Sequence, residues 1–181
     1  MPHVSESNRL SGAANAFAGS VTASEFRGAF ANLATAVSII ATDGPRGIAG
    51  LTCSAVSAAS DEPPLLVACL HGKSAANAAF RANGVVSVNC LGAGHTELSQ
   101  AFAGVGRLPV EQRFALAAWD VLVTGAPCFR DALATFDCEI AEVRDIGTHS
   151  MFIAKVVATR ARDSGEPLVY QRGAYAATRN L

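Results

Sequence analysis

Apolar residues in this chain come in short segments of strand length, each closed by Gly, Pro, Asp or Asn. They fall at 37–42, 48–57, 65–70, 85–91, 134–143, 151–162 and 168–170. Short apolar, β-branched runs between turn formers read as strands. In the first, Val37, Ile39 and Ala41 alternate with Ser38, Ile40 and Thr42, and Asp43-Gly44-Pro45-Arg46-Gly47 then supplies a hairpin loop. Helical spacing is confined to three places. Phe26, Phe30 and Leu33 recur behind Ser24, placed to cap; 74–81 follows Ser74; and 97–102 is the third. The stretch 104–119 reads as loop with some helix. So many strands with so few helices cannot alternate as βαβ units, so the expectation is a mainly β fold, an antiparallel barrel or sandwich. Residues 1–22 have neither a two-residue nor a 3.6-residue rhythm and read as a flexible arm, leaving 23–181 as one domain.

Charge removes several function classes. With 14 Lys+Arg against 15 Asp+Glu the net charge is −1 over 181 residues, which offers no footprint for nucleic acid. No apolar run approaches the ~20 residues of a membrane-spanning helix. The first twenty residues lack a basic start followed by a greasy stretch, so a cytoplasmic location is expected. Cys53, Cys69, Cys90, Cys128 and Cys138 form an odd set with no CxxC and no zinc spacing, and read as buried free thiols. His3, His71, His95 and His149 are far apart and match no metal motif, so no metal is expected.

The common catalytic motifs are also missing. Neither Gly92-Ala93-Gly94 nor Gly104-Val105-Gly106 opens a GxGxxG turn, and there is no GxxxxGK[ST]. Gly50-Leu51-Thr52-Cys53-Ser54 lacks the second glycine of a nucleophile elbow. What remains is a set of small polar residues on or beside strands: Thr52, Ser54, Ser60, Ser74, Ser87 and Asn89. Each alone is an ordinary edge or cap residue. Their combination carries the functional argument.

The order of segments resembles the flavin reductases that serve as small components of two-component flavin-dependent monooxygenases. The matching pieces are Thr35-Ala36-Val37-Ser38-Ile39-Ile40-Ala41-Thr42, Gly50-Leu51-Thr52-Cys53-Ser54-Ala55-Val56-Ser57 and Ser60-Asp61-Glu62-Pro63-Pro64. Downstream are Ser87-Val88-Asn89-Cys90-Leu91, Phe102-Ala103-Gly104, Arg113-Phe114, Phe136-Asp137-Cys138, Gly147-Thr148-His149-Ser150-Met151-Phe152, and Pro167-Leu168-Val169-Tyr170 to Tyr175. The likeness spans about residues 24–178 and is nearest to reductase partners of chlorophenol and 4-hydroxyphenylacetate hydroxylases. It implies a split β-barrel, a homodimer, FAD or alternatively FMN as flavin, NADH as electron donor, and a monooxygenase that receives the reduced flavin. One piece departs: the family's Gly-Asp-His reads Gly147-Thr148-His149, so the family pattern does not say how this loop is held or which nicotinamide it prefers.

Such chemistry needs no nucleophile or metal, because the cofactors carry it and the protein holds two flat rings with reacting atoms about 3–3.5 Å apart. On this reading Gly50 lets the backbone approach the isoalloxazine, while Thr52 and Ser54 share a strand face. Ser60 bonds the ribityl hydroxyls, and Lys73-Ser74 opens a helix that seats the flavin phosphate. Asn89 adds a polar contact and Arg107 a charge. His149 is the catalytic candidate on the nicotinamide side, and Tyr175 offers a flat surface to the dinucleotide or a dimer neighbour. The matching segments add Thr35, Ala36, Val37, Leu51, Cys53 and Phe102 to the cofactor set. The rival class is a non-catalytic flavin carrier or sensor on the same barrel; a flavin oxidase would need an acid, base or arginine cluster that is not apparent.

Overall fold

A computed structural model of the chain describes residues 21–178. The expected arm at 1–22 lies almost wholly outside them. Two compact units are separated by contact, one ending at Leu33 and one beginning at Ala34. The first contains helix α1 (Ala23–Phe30). Its cap is Thr22 rather than Ser24: Thr22 Oγ1 accepts from the Glu25 N–H at 3.2 Å while the Glu25 carboxylate accepts from the Thr22 N–H at 2.8 Å. That reciprocal pair needs an acid three residues beyond the cap, which Ser24 lacks.

The second unit is mainly β and antiparallel. Its large sheet has seven strands in the order β3-β2-β6-β9-β10-β5-β4. These are β2 (Ser38–Thr42), β3 (Ala49–Cys53), β4 (Val56–Asp61), β5 (Pro64–His71), β6 (Val85–Cys90), β9 (Ala134–Ile146) and β10 (His149–Ala161). A second sheet pairs β1 (Thr35–Ala36), β11 (Leu168–Gln171) and β12 (Ala174–Ala177); β7 (Trp119–Val121) and β8 (Pro127–Phe129) form a third. The helices of this unit are α2 (Ala75–Asn83), α3 (Thr96–Phe102) and α4 (Val110–Phe114).

The expected 48–57 strand is two strands, broken at Ser54-Ala55 so that β3 pairs with β2 while β4 pairs with β5. Strand 37–42 does not alternate. All five residues of β2 are buried, because Ile40 packs into one core with Leu70, Phe80, Val86, Val88 and Phe152, while Ile39 and Ala41 pack into a second with Leu91, Phe102, Phe114 and Leu168. A strand covered on both faces loses the two-residue rhythm. The long β9–β10 hairpin turns through two residues, with Gly147 at φ +58° in the first central position, where the right-handed twist of the strands favours a positive φ.

Candidate functional site

Four expected residues gather at one cavity of about 460 Å³. Val37, Thr52, Ser54 and Tyr175 line it with Gln100 and Tyr170, and no lining residue is charged. Two-residue alternation places Thr52 and Ser54 on the same side as β3 ends. Thr52 Oγ1 donates to the Ser99 carbonyl at 2.6 Å, and Ser99 Oγ lies 2.9 Å from the Tyr175 hydroxyl. α3, β3 and β12 are thereby tied around the opening. Gln100 and Tyr170 were not among the expected site residues: Gln100 sits in a short helix without a motif, and Tyr170 is brought in only by the β11–β12 pairing. The volume and the mix of neutral polar groups with an apolar wall suit a flat heteroaromatic ring with a polar edge, so these residues fit a flavin.

A second group forms where β5, β10 and α2 meet. His149 opens β10 directly opposite His71, the last residue of β5, and their rings lie 5.2 Å apart, edge to face at 73°. Both are exposed. The Thr148 hydroxyl lies 2.9 Å from His149 Nδ1, and the Lys73 N–H donates to His71 Nδ1 at 3.1 Å. Ser74 stands at the N-cap of α2 with extended backbone and no side-chain cap bond. Cys53, between Thr52 and Ser54 in sequence, is turned to the core and its Sγ is 3.7 Å from the Cys69 carbonyl, two residues before His71.

The hairpin is held from below by a polar cluster that sequence reading did not assemble. Asn77 Nδ2 donates to Ser150 Oγ at 3.0 Å, Arg81 Nε donates to Asn77 Oδ1 at 2.8 Å, and Arg81 pairs with Asp145. Asn77 and Ser150 are buried, so these bonds are shielded from water. The hydrogen bond from Ser150, with Arg81 nearby, holds the Asp145 carboxyl below the usual carboxylate range.

Three expected cofactor contacts prove to be interior residues. Asn89 is fully buried with its amide fully engaged: Nδ2 donates to the Ile39 carbonyl at 3.1 Å and Ser87 Oγ at 2.9 Å, and Oδ1 accepts from the Phe129 N–H at 2.7 Å and Thr135 Oγ1 at 3.3 Å. It has no group left for a ligand. Phe102 is buried against Phe114 and Trp119. Gly50 is glycine because a Cβ would stand 2.9 Å from Phe102 Cε1 and 3.0 Å from Phe114 Cζ, so its open side is filled by core rings.

The others are scattered. Leu51 packs against the Ile40 core, and Cys53 is buried, its thiol pushed up to about 11 by burial. Thr35 Oγ1 donates to the Tyr170 carbonyl at 3.3 Å, and Ala36 is exposed beside it. Ser60 pairs with Leu65, six residues back along β5 from His71 and so roughly 20 Å from the paired imidazoles. Arg107 is exposed and left-handed at φ +51°, two residues from the cavity residue Val105. Of the thiols, Cys53, Cys128 and Cys138 are buried, whereas Cys69 and Cys90 are half-buried.

An antiparallel barrel whose cavity is lined by neutral polar and apolar groups suits a protein that holds a flat organic cofactor. The Flavin reductase like domain matches residues 30–179, and the chain belongs to that family. It is 46% identical over 146 residues to the FMN reductase (NADH) RutF 2 of Rhizobium rhizogenes strain K84, spanning 81% of this chain and 83% of that one. The FMN reductase (NADH) RutF of Ancylobacter novellus is 45% identical over 160 residues, 88% of this chain and 86% of the relative. In three dimensions the chain is similar to BorF, the flavin reductase component of a bacterial two-component tryptophan halogenase, with TM-score 0.80 and 26% identity over 88% of this chain and all of that one. The split-barrel fold expected from the resemblance is the fold observed. Among the described residues no helix is long and apolar enough to cross a membrane, and no cluster of metal-binding side chains occurs.

Proposed function

We propose that this protein is an NADH-dependent flavin reductase that passes a hydride to FMN and releases the reduced flavin to a partner monooxygenase or similar flavin-dependent oxygenase. The observation that carries the reading is the uncharged cavity at the end of β3, lined by Thr52, Ser54 and Tyr175, in a chain of the flavin reductase family. The relatives' names favour FMN over the FAD that the sequence resemblance put first. The flavin, when bound, supplies the ring that accepts the hydride.

The chain's own residues position and exclude. Thr52, Ser54, Gln100 and Tyr175 offer neutral hydroxyl and amide groups to a polar ring edge, and Val37 backs an apolar face. Such groups, fixed beforehand by bonds like that between Ser99 and Tyr175, stabilise developing charge without reorganising. Lys73 and the start of α2 favour a phosphate. His149 meets the nicotinamide side, where an imidazole can donate or stack without changing protonation. The reading includes a homodimer, supported by the exposure of Val105 and Tyr170 at the cavity.

Anaerobic addition of NADH to protein with FMN or FAD tests the proposal. Bleaching of the flavin band, faster with FMN and with NADH than with FAD or NADPH, is expected; flavin that binds but is not bleached would make the chain a carrier. The double variant Thr52→Ala, Ser54→Ala should weaken FMN binding roughly tenfold, the loss of about 1.4 kcal/mol. Light scattering of the purified protein reads the dimer.

A further inference from the structure

We propose that His71 is a second binding residue of the nicotinamide subsite, acting as a hydrogen-bond donor through Nε2 to the carboxamide oxygen; this rests on the placing of the dinucleotide beside His149. The orientation of the ring is set by the backbone. A main-chain N–H can only donate, and that of Lys73 points at His71 Nδ1 at 3.1 Å. Nδ1 is therefore the lone-pair nitrogen, and the neutral ring carries its proton on Nε2. No described side chain or main-chain group takes up that proton, while the residue itself is exposed.

The sheet fixes where this donor lies. His71 and His149 are direct cross-strand partners of β5 and β10, so their side chains leave the same face of the sheet, and the rings meet edge to face. Two further bonds keep the pair in register: the Gly72 N–H donates to the Thr148 carbonyl at 2.9 Å, and the Ser74 N–H donates to the His71 carbonyl at 2.9 Å. The two imidazoles thus stand side by side on a rigid edge, their centroids 5.2 Å apart. A ligand stacked on or bonded to His149 lies within reach of His71. An amide carbonyl suits this pair, since a fixed neutral donor rewards an acceptor oxygen and leaves a ligand lacking it unpaired.

Two substitutions separate the donor from the ring. His71→Phe keeps a flat ring against His149 and removes the Nε2 proton; His71→Gln keeps an N–H donor and removes the ring. The readouts are the KM for NADH against kcat, and the Kd of NAD+ titrated calorimetrically into flavin-saturated protein. Expected for His71→Phe are a KM and Kd raised roughly fivefold with little change in kcat, and for His71→Gln values within about twofold of the parent. Equal loss in both variants, loss in the Gln variant alone, or parent-like values in both would overturn the proposal. His149→Ala, measured alongside, distinguishes the failures. If it raises KM while both His71 variants behave as the parent, His71 is excluded and the subsite reading stands. If it too leaves KM and Kd unchanged, the subsite itself is misplaced and the proposal falls with it.

Discussion

Ser150 donates its hydroxyl to Asp145 Oδ1 at 2.7 Å across the β9–β10 hairpin, one residue pair below the turn that carries His149. Arg81 and Asn77 of α2 converge on the same two groups. The Thr148 side chain, at the position where the family pattern has an acid, reaches only its neighbour His149 among the described residues, while its carbonyl accepts from the Gly72 N–H at 2.9 Å. The loop is thus anchored from its stems, from a helix and through the main chain of its tip, with no acidic side chain at the tip itself.

Removing that anchor should loosen His149 without touching it. Asp145→Ala is expected to raise the KM for NADH roughly threefold, the effect of about half an ordinary hydrogen bond, with FMN affinity unchanged. Steady-state kinetics with a parallel FMN titration checks this. An equal loss in both affinities would make Asp145 a general stability residue.

The same carboxyl predicts a pH dependence. Its folded-state pKa is depressed, first by the hydrogen bond from Ser150 and also by Arg81. Its contribution to stability is therefore fully present above the unfolded value, about 3.9, and is lost as pH falls through the lower folded value. Asp145→Asn should melt below the parent near neutral pH, and the gap should narrow below about pH 4. A gap that stays constant from about pH 6 to about pH 3 in thermal melts contradicts the assignment.

Gly50→Ala should destabilise the protein through the core. The added methyl meets the rings of Phe102 and Phe114 and stands 3.2 Å from the Ile40 carbonyl, which cannot move without shifting β2. Overpacking of this kind costs about 2 kcal/mol. Urea unfolding measures it. A parent-like midpoint combined with lost FMN binding would return Gly50 to the ligand.

Asn89→Leu should cost about 3 kcal/mol, because it leaves the buried Phe129 N–H and Ile39 carbonyl without their side-chain partner. The fraction that remains folded should bind FMN as the parent does. A specific loss of FMN affinity at unchanged stability would show that the amide faces the cofactor.

Local order is written in local residues, and that part of the protein was legible from the chain alone. Turn formers at 43–47 and at Gly147 mark hairpins, Ser74 marks the start of α2, and apolar runs mark β5, β6, β9 and β10, because each depends on neighbours a few residues away. β7, β8 and β12 escaped detection: they are three or four residues long, and Ala174–Ala177 has too little pattern to stand out. Strand alternation puts Thr52 and Ser54 on one face, and the cavity adds Tyr175, which the sequence reading sets against the dinucleotide or a dimer neighbour. Tertiary structure alone decided the rest. Gly50 is closed by rings more than fifty residues away, the Asn89 amide is consumed by Ile39, Phe129 and Thr135, and His71 meets His149 across a strand pair seventy-eight positions apart. Register and burial choose which polar groups face inward and which are left for a ligand, and neither quantity exists until the sheet has closed.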